Sequence, residues 1–170
     1  MALDRDVWLA QLLELMQAAQ FAASITLTTA GLLVSGEPIS ASEFIRLSGA
    51  GVVEAMEPLS HEAAETLDRY FEAETRSAEA WLQQSQERRE ALTSEQRGPE
   101  GARSGQTFGD TWSELYPQFI HLKNAVIVGP FPQPVHLPLW RGRLAAIIGW
   151  CFGGLGATEV HAPAPSGKGR

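Results

Sequence analysis

The chain contains a single cysteine, Cys151, among its 170 residues. One thiol excludes an internal disulfide framework and any metal site built from cysteines alone. Because Cys151 lies in an apolar segment, we expect a buried core thiol. The sequence also lacks any apolar run near the roughly 20 residues that a membrane-spanning helix needs, so we expect no membrane segment.

The sequence lacks a basic, signal-like start and long runs of like charge. It begins MALDRDVWLAQLL, with acidic residues where a secretory signal has basic ones, which predicts a cytoplasmic location. The net charge of −7 argues against general nucleic-acid binding. Charge is uneven, however, because residues 42–110 hold 14 acidic and 7 basic side chains, whereas residues 111–156 hold 3 basic and 1 acidic.

No group of residues has the spacing of a catalytic or metal site. The four histidines are scattered over the chain, and the glycines near residue 153 are not followed by the Gly-Lys-Ser or Gly-Lys-Thr of a phosphate loop. We therefore expect a protein that is not an enzyme and that holds neither a cofactor nor a metal. The histidines are His61, His121, His136 and His161.

Residues 119–155 form the most informative stretch. Side chains alternate between two faces over 119–123, and an apolar run over 125–128 continues to a Gly-Pro break, which predicts one long strand. Three prolines within 131–138 predict a loop. The second arm, 139–152, contains Gly142 and Gly149, which predict a kinked strand with a bulge or corner.

The N-terminal part predicts a helix followed by two strands. Over residues 4–22 a helical stripe follows a capping Asp4. Alternation over 24–29 and an apolar run at 32–36 predict strands joined at Gly31, with a bulge at Gly36. The stripe comprises Trp8, Leu12, Leu15, Met16 and Ala19.

A helical insertion of about 42–93 separates the two strand-rich parts. Ser42 is placed to cap a first helix, which Gly49 and Gly51 interrupt. A long helix follows over about 61–92, whose polar end beyond Gln83 should project into solvent. Residues 94–110 and 157–170 are predicted to be flexible or disordered.

Together these elements predict an α+β protein in which residues 1–156 form a single domain. An N-terminal helix would cover a small, strongly bent antiparallel β-barrel made from residues 24–40 and 119–155. The two glycines at Gly31 and Gly36, and the phrase Leu139-Trp140-Arg141-Gly142, resemble the motifs of Sm-like proteins. This resemblance implies an Sm-like or SH3-like barrel and offers an alternative function, an RNA-binding ring protein.

Three phrases in order resemble the gas vesicle accessory protein family GvpU. They begin at Ser35-Gly36, at Ile120-His121 and at Trp140-Arg141, the last followed by Gly149-Trp150-Cys151-Phe152-Gly153. The resemblance implies a non-enzymatic cytoplasmic protein that acts on vesicle assembly or clustering. It would self-associate as a homo-oligomer and contact shell or other accessory proteins.

A small basic strip is the candidate binding site. Arg141 and Arg143 point to one side of a strand, as do His121 and Lys123 on its partner. The strip could hold a phosphate, a carboxylate or RNA. The favoured alternative is a solvated face with the arginines tied to acids such as Glu72 or Glu79. The candidate residues are His121, Lys123, Asn124, Arg141 and Arg143 for binding, Gly31, Gly36, Trp140, Gly142 and Gly149 for structure, and Tyr70, Phe71 and Trp81 for protein contact.

Overall fold

The computed structural model describes residues 6–19, 21, 23–96 and 117–155. It contains three helices and five strands, with a short 3-10 helix, Leu144–Ala146, before the last strand. In chain order the elements are α1 (Val7–Ala18), β1 (Ile25–Thr29), β2 (Leu32–Ile39), α2 (Ala41–Met56), α3 (His61–Gln96), β3 (Phe119–Val128), β4 (Val135–Arg143) and β5 (Ile147–Phe152).

The strands form one antiparallel sheet in the order β4-β3-β2-β1-β5. The α+β class is therefore confirmed, and β2 pairs with β3 across the whole insertion. The predicted barrel is not confirmed, because the sheet is not closed: β4 and β5 lie at opposite edges and do not pair with each other. β4 also begins at Val135, inside the predicted loop, and its Pro138 is accommodated because an edge strand needs fewer backbone donors.

Two bulges bend the sheet. Between the pairs Ser35–Val126 and Glu37–Lys123, β2 contributes only Gly36 whereas β3 contributes Asn124 and Ala125. The extra residue thus lies on β3, and Asn124 adopts a φ of 52°. Gly36 lies opposite, where a Cβ would come within 2.9 Å of the Lys123 carbonyl oxygen. Ile148 is the extra residue of a second bulge, between β5 and β1.

Helix α1 covers one face of the sheet with a side that matches the predicted stripe only in part, since Met16 is buried and Leu12 packs against the core. Its buried residues pack on the strand core, while Trp8 is 78% and Leu15 65% exposed. The helix is capped by Asp6, whose Oδ1 accepts a hydrogen bond from the Leu9 amide at 3.0 Å. The predicted cap, Asp4, lies outside the described residues. The core cluster comprises Leu9, Ala10, Leu13, Met16, Ile25, Leu27, Val34, Ile120, Leu122, Ala125 and Leu144.

The insertion is a pair of helices packed against each other. Ser40, rather than Ser42, caps α2, and the helix runs through Gly49 without interruption. Gly49 is buried because Phe71 of α3 packs there, with Cγ 2.5 Å from where a Cβ would lie. The polar end of α3 does not project as predicted, since Ser85 is buried and Arg89 pairs with Glu14 of α1.

Helix α3 continues to Gln96, so the first residues of the predicted flexible segment are helical. The remainder of that segment, and the predicted tail 157–170, lie outside the described residues. No helix in the described ranges is both long and apolar enough to cross a membrane. Cys151 is exposed, which makes the expectation of a buried thiol wrong. The segment is apolar, but β5 is an edge strand and Cys151 lies away from the core.

Candidate functional site

The predicted basic strip lies where β3 and β4 pair. Phe119 is opposite Arg143, and His121 is opposite Arg141. Since successive side chains of a strand alternate, these residues lie on the face opposite the buried Ile120. Helix α2 follows β2 directly through Ser40 and places its first turn against this face. The surroundings of the five candidate side chains then divide them into three groups.

His121 is buried and stacks against Phe44 of α2, with ring centroids 4.6 Å apart. Burial, and secondarily the positive charge of Arg141, lower the pKa of His121 to about 4. Desolvation disfavours the charged imidazolium, and a like charge does the same. At neutral pH His121 is therefore an uncharged packing residue between the sheet and α2.

Lys123 and Asn124 make polar contacts with acidic neighbours. The Lys123 ammonium lies 3.5 Å from Glu43 Oε1 and 3.8 Å from Glu37 Oε2. Asn124 donates a hydrogen bond through Nδ2 to Glu37 Oε1 at 3.1 Å. Two carboxylates flank one ammonium, so this end of the strip carries no excess positive charge. These contacts anchor α2 and the β3 bulge instead.

Arg141 and Arg143 are both exposed and share one aromatic ring. The guanidinium carbon of Arg141 lies 3.8 Å from the centroid of Phe119, and that of Arg143 lies 5.8 Å from it. Neither has a salt bridge within the part of the chain that the structure describes, so the expected ties to Glu72 or Glu79 are absent there. Two oriented positive charges remain available to a ligand.

The residues predicted to be structural have distinct surroundings. Trp140 packs against the core cluster, and its indole lies over Gly142, where a Cβ would come within 2.1 Å of Cη2. Gly31 adopts a φ of +84° in the β1–β2 turn, which favours glycine. Gly149 is different, because a Cβ there would make only ordinary contact with Thr28 at 3.8 Å. It lies next to the Ile148 bulge.

Exposed apolar side chains lie partly where the sequence did not indicate them. Tyr70 and Trp81 of α3 are partly exposed, whereas Phe71 packs on Gly49. Larger exposures occur on α1 at Trp8 and on β5 at Ile148, and Phe152 of β5 is about as exposed as Tyr70. One signal was available, since α1 reads VWLAQLLELMQA and has a single charged residue. A helix that is apolar nearly all round cannot bury every side against one sheet.

The described residues offer little to a small molecule. Within them, no three histidine, cysteine or acidic side chains are grouped as metal ligands would be. A cavity between α1, α3 and the start of β3 measures about 50 Å³ and is lined by Leu13, Trp81 and His121 among others. Small-molecule sites are typically about 300–1,000 Å³. This cavity is smaller than such sites.

A family model described as gas vesicle protein GvpU-like matches residues 6–155. The chain belongs to this GvpU-like family. The match includes every described helix and strand, so the helical insertion lies within the region typical of the family. No curated protein matches the chain. No solved structure matches it either, and the predicted likeness to Sm-like proteins stays a prediction.

Membership of the GvpU-like family relates this protein to gas vesicles and to an accessory structural role. The three phrases that indicated the family lie in β2, in β3 and across β4 and β5. They are therefore distributed over the sheet, including both edges. Neither the family match nor the site geometry favours the RNA-binding alternative, since the ring of Phe119 is covered by Arg141.

Proposed function

We propose that this GvpU-like protein is a non-enzymatic accessory protein that acts on the assembly or clustering of gas vesicles. It works in the cytoplasm at the vesicle surface, by associating with itself and by contacting shell or other accessory proteins. The family match over residues 6–155 is the observation that carries the proposal. The open sheet and its exposed apolar groups support a role in binding other proteins.

Exposed apolar groups support the contact part of this proposal. Trp8 and Leu15 on α1, and Ile148 on β5, each leave most of their side chain in solvent. Exposed apolar patches commonly mark contact with other proteins or with apolar surfaces. Burying these groups on a partner supplies the main driving force for association.

The arginine pair supports a second, polar contact. Arg141 and Arg143 are oriented by Phe119 and have no acidic partner in the described residues. A guanidinium binds a carboxylate through two parallel hydrogen bonds, so the matching partner is an acidic protein surface. His121 and Lys123 support this surface by fixing β3 against α2, and Asn124 ties the β3 bulge to Glu37 of β2.

A cell that makes gas vesicles, with and without this protein, tests the proposal. We expect loss of the protein to change vesicle number or the spacing between vesicles in electron micrographs. The double variant Arg141→Ala/Arg143→Ala should reproduce part of that change while remaining folded. Its matched control is Arg69→Ala, because Arg69 is exposed but already paired with Glu65. Unchanged vesicles in the absence of the protein would overturn the proposed function.

A further inference from the structure

The edge strand β5 lacks the usual protection against pairing with another chain. Its sequence, IIGWCF, contains no charged residue and no proline. It lies at one end of the strand order and has a partner on one side only among the described residues. Natural edge strands normally carry charges, prolines or covering elements that prevent further pairing. β5 is therefore available for an additional strand.

The backbone groups that face the open side can be assigned from the ladder. The Gly153 amide donates to the Ser24 carbonyl at 2.9 Å, and Cys151 pairs with Thr26 in the same register. In an antiparallel ladder, alternate residues bond to the neighbouring strand. Cys151 and Gly153 therefore bond towards β1. The N–H and C=O groups of Trp150 and Phe152 point to the open edge.

The open backbone groups of Trp150 and Phe152 can pair with the same groups of a second copy. When a second β5 is laid antiparallel, pairing Trp150 with Phe152 of the second copy also pairs Phe152 with Trp150 and places Cys151 on the two-fold axis. Both aromatic pairs then contribute across the strands. A register centred on Trp150 would use Ile148, where the bulge interrupts the alternation. The regular part of β5 thus selects the register centred on Cys151.

Charge also favours a second copy at this place. The whole chain carries a net charge of −7, so two copies repel each other over most of their surfaces. β5 itself has no charge, and most of the acidic side chains lie in residues 42–96. The acidic side chain bonded to β5 is Asp6, whose Oδ2 accepts a hydrogen bond from Trp150 Nε1 at 2.7 Å. The β5 strands themselves therefore add no charge repulsion when two copies meet.

We propose that β5 is a homodimerisation edge, at which two copies pair antiparallel about a two-fold axis through Cys151. The proposal rests on the self-association in the proposed function and identifies its surface. Pairing covers the open edge of both β5 strands and forms one continuous ten-stranded sheet. The two β4 edges then lie at opposite ends, each presenting Arg141 and Arg143. Such a dimer is bivalent, and two linked sites bind more tightly than one.

Chemical cross-linking of the full chain tests the register. The exposed Cys151 pair would form a non-hydrogen-bonded pair, with Cα atoms about 4.5 Å apart. A short bismaleimide should convert most of the protein to a covalent dimer. In the variant Cys151→Ser/Ile148→Cys the two thiols would lie about 20 Å apart along the strands, so we expect little cross-linking although position 148 is exposed. Stronger cross-linking through position 148 would overturn the register.

A matched pair of variants tests the backbone pairing. Phe152→Pro removes the outward N–H without removing a bond to β1, whereas Phe152→Ala removes the ring but keeps the N–H. Because symmetry doubles the loss, we expect the dimer Kd of Phe152→Pro to exceed that of Phe152→Ala by about tenfold or more. Sedimentation equilibrium measures the Kd, and thermal melting should show that both variants stay folded.

The possible outcomes separate the two proposals. Association that is insensitive to Phe152→Pro and gives no cross-link at Cys151 overturns the β5 dimer and leaves the proposed function intact. Rings or open polymers would indicate head-to-tail pairing of β5 with β4 and also overturn it. A monomer at tens of micromolar would overturn both the dimer and the self-association. Dimers linked at Cys151, in cells whose vesicles do not respond to loss of the protein, would overturn the proposed function alone.

Discussion

The two edges of the sheet are built in opposite ways. β4 carries Pro138 and the exposed Arg141 and Arg143, all of which discourage a further strand from pairing. β5 carries an exposed cysteine and exposed apolar groups, with no charge or proline. Both strands are the outer strands of the same sheet, so fold alone does not explain the difference. We infer that β4 is adapted to polar recognition and β5 to apolar contact.

Replacing the glycine in each edge strand should give the largest difference in stability between the two edges. Gly142→Ala should reduce the free energy of unfolding by about 3 kcal/mol, because the new Cβ would displace the Trp140 indole from the core. Gly149→Ala on β5 is the matched control and should change it by less than about 1 kcal/mol, since its Cβ meets Thr28 at an ordinary distance. Urea denaturation measures both. Equal losses would show that both glycines are equally constrained.

Breaking the contact between α1 and β5 should have the next largest effect on the free energy of unfolding. Asp6 caps α1 through Oδ1 and accepts a hydrogen bond from Trp150 Nε1 at 2.7 Å through Oδ2. Asp6→Ala loses both, so we expect a loss of about 2 kcal/mol. Asp6→Asn keeps a good cap but only one acceptor oxygen, and should lose about half as much. If both variants unfold like the unmodified protein, β5 does not depend on this contact.

The stability of the sheet on the β4 side should depend on pH through His121. Its pKa is about 4 in the folded protein and about 6.5 when unfolded, so the unfolded state binds the proton more readily between these values. His121 thus contributes stability above pH 6.5 that is lost as the pH falls towards 4. Between pH 7 and pH 5 we expect the free energy of unfolding to fall by on the order of 1 kcal/mol. The variant His121→Phe should not show this loss. Thermal melts at pH 7 and pH 5, compared between the variant and the unmodified protein, measure the difference.

The smallest expected effect is that of Arg141→Ala on stability. Its contact with Phe119 is an exposed cation–π interaction, so the loss should be less than about 1 kcal/mol. Removing its charge should also raise the pKa of His121, which an NMR titration of the imidazole detects. Arg143→Ala is the control, because Arg143 lies opposite Phe119 rather than His121. A larger loss of stability would mean that Arg141 is a packing residue.

Much of the sheet follows from local sequence patterns. Alternating or continuous apolar residues indicated β1, β2, β3 and the second arm of the hairpin, and Gly31 indicated the turn between β1 and β2. These features depend on neighbouring residues alone. The pairing of strands across the insertion also followed, because a lone hairpin is marginal in water and needs partner strands.

The misjudged features depend on contacts between distant residues. The stripe of α1 was ambiguous because nearly every position is apolar, and only docking on the sheet selects Leu9 and Leu13 over Trp8 and Leu15. Gly49 resembled a helix interruption, but Phe71 needs its small size. In the basic strip, spacing placed Lys123 correctly on β3, whereas only the fold brings Glu37 and Glu43 to it. Whether a bent sheet forms a barrel likewise depends on how its two edges are placed, which local pattern does not specify.

The pairing of β2 with β3 has a consequence for how fast the protein folds. The two strands are separated by residues 40–118. Bringing them together costs the conformational entropy of a long loop, which slows their pairing during folding. Helices α2 and α3 pack on each other at Gly49 and Phe71, through contacts much closer in sequence. Their early formation would shorten the flexible chain between the strands. Helices that add no described residue to the core cluster would thus help to set the folding rate of the sheet.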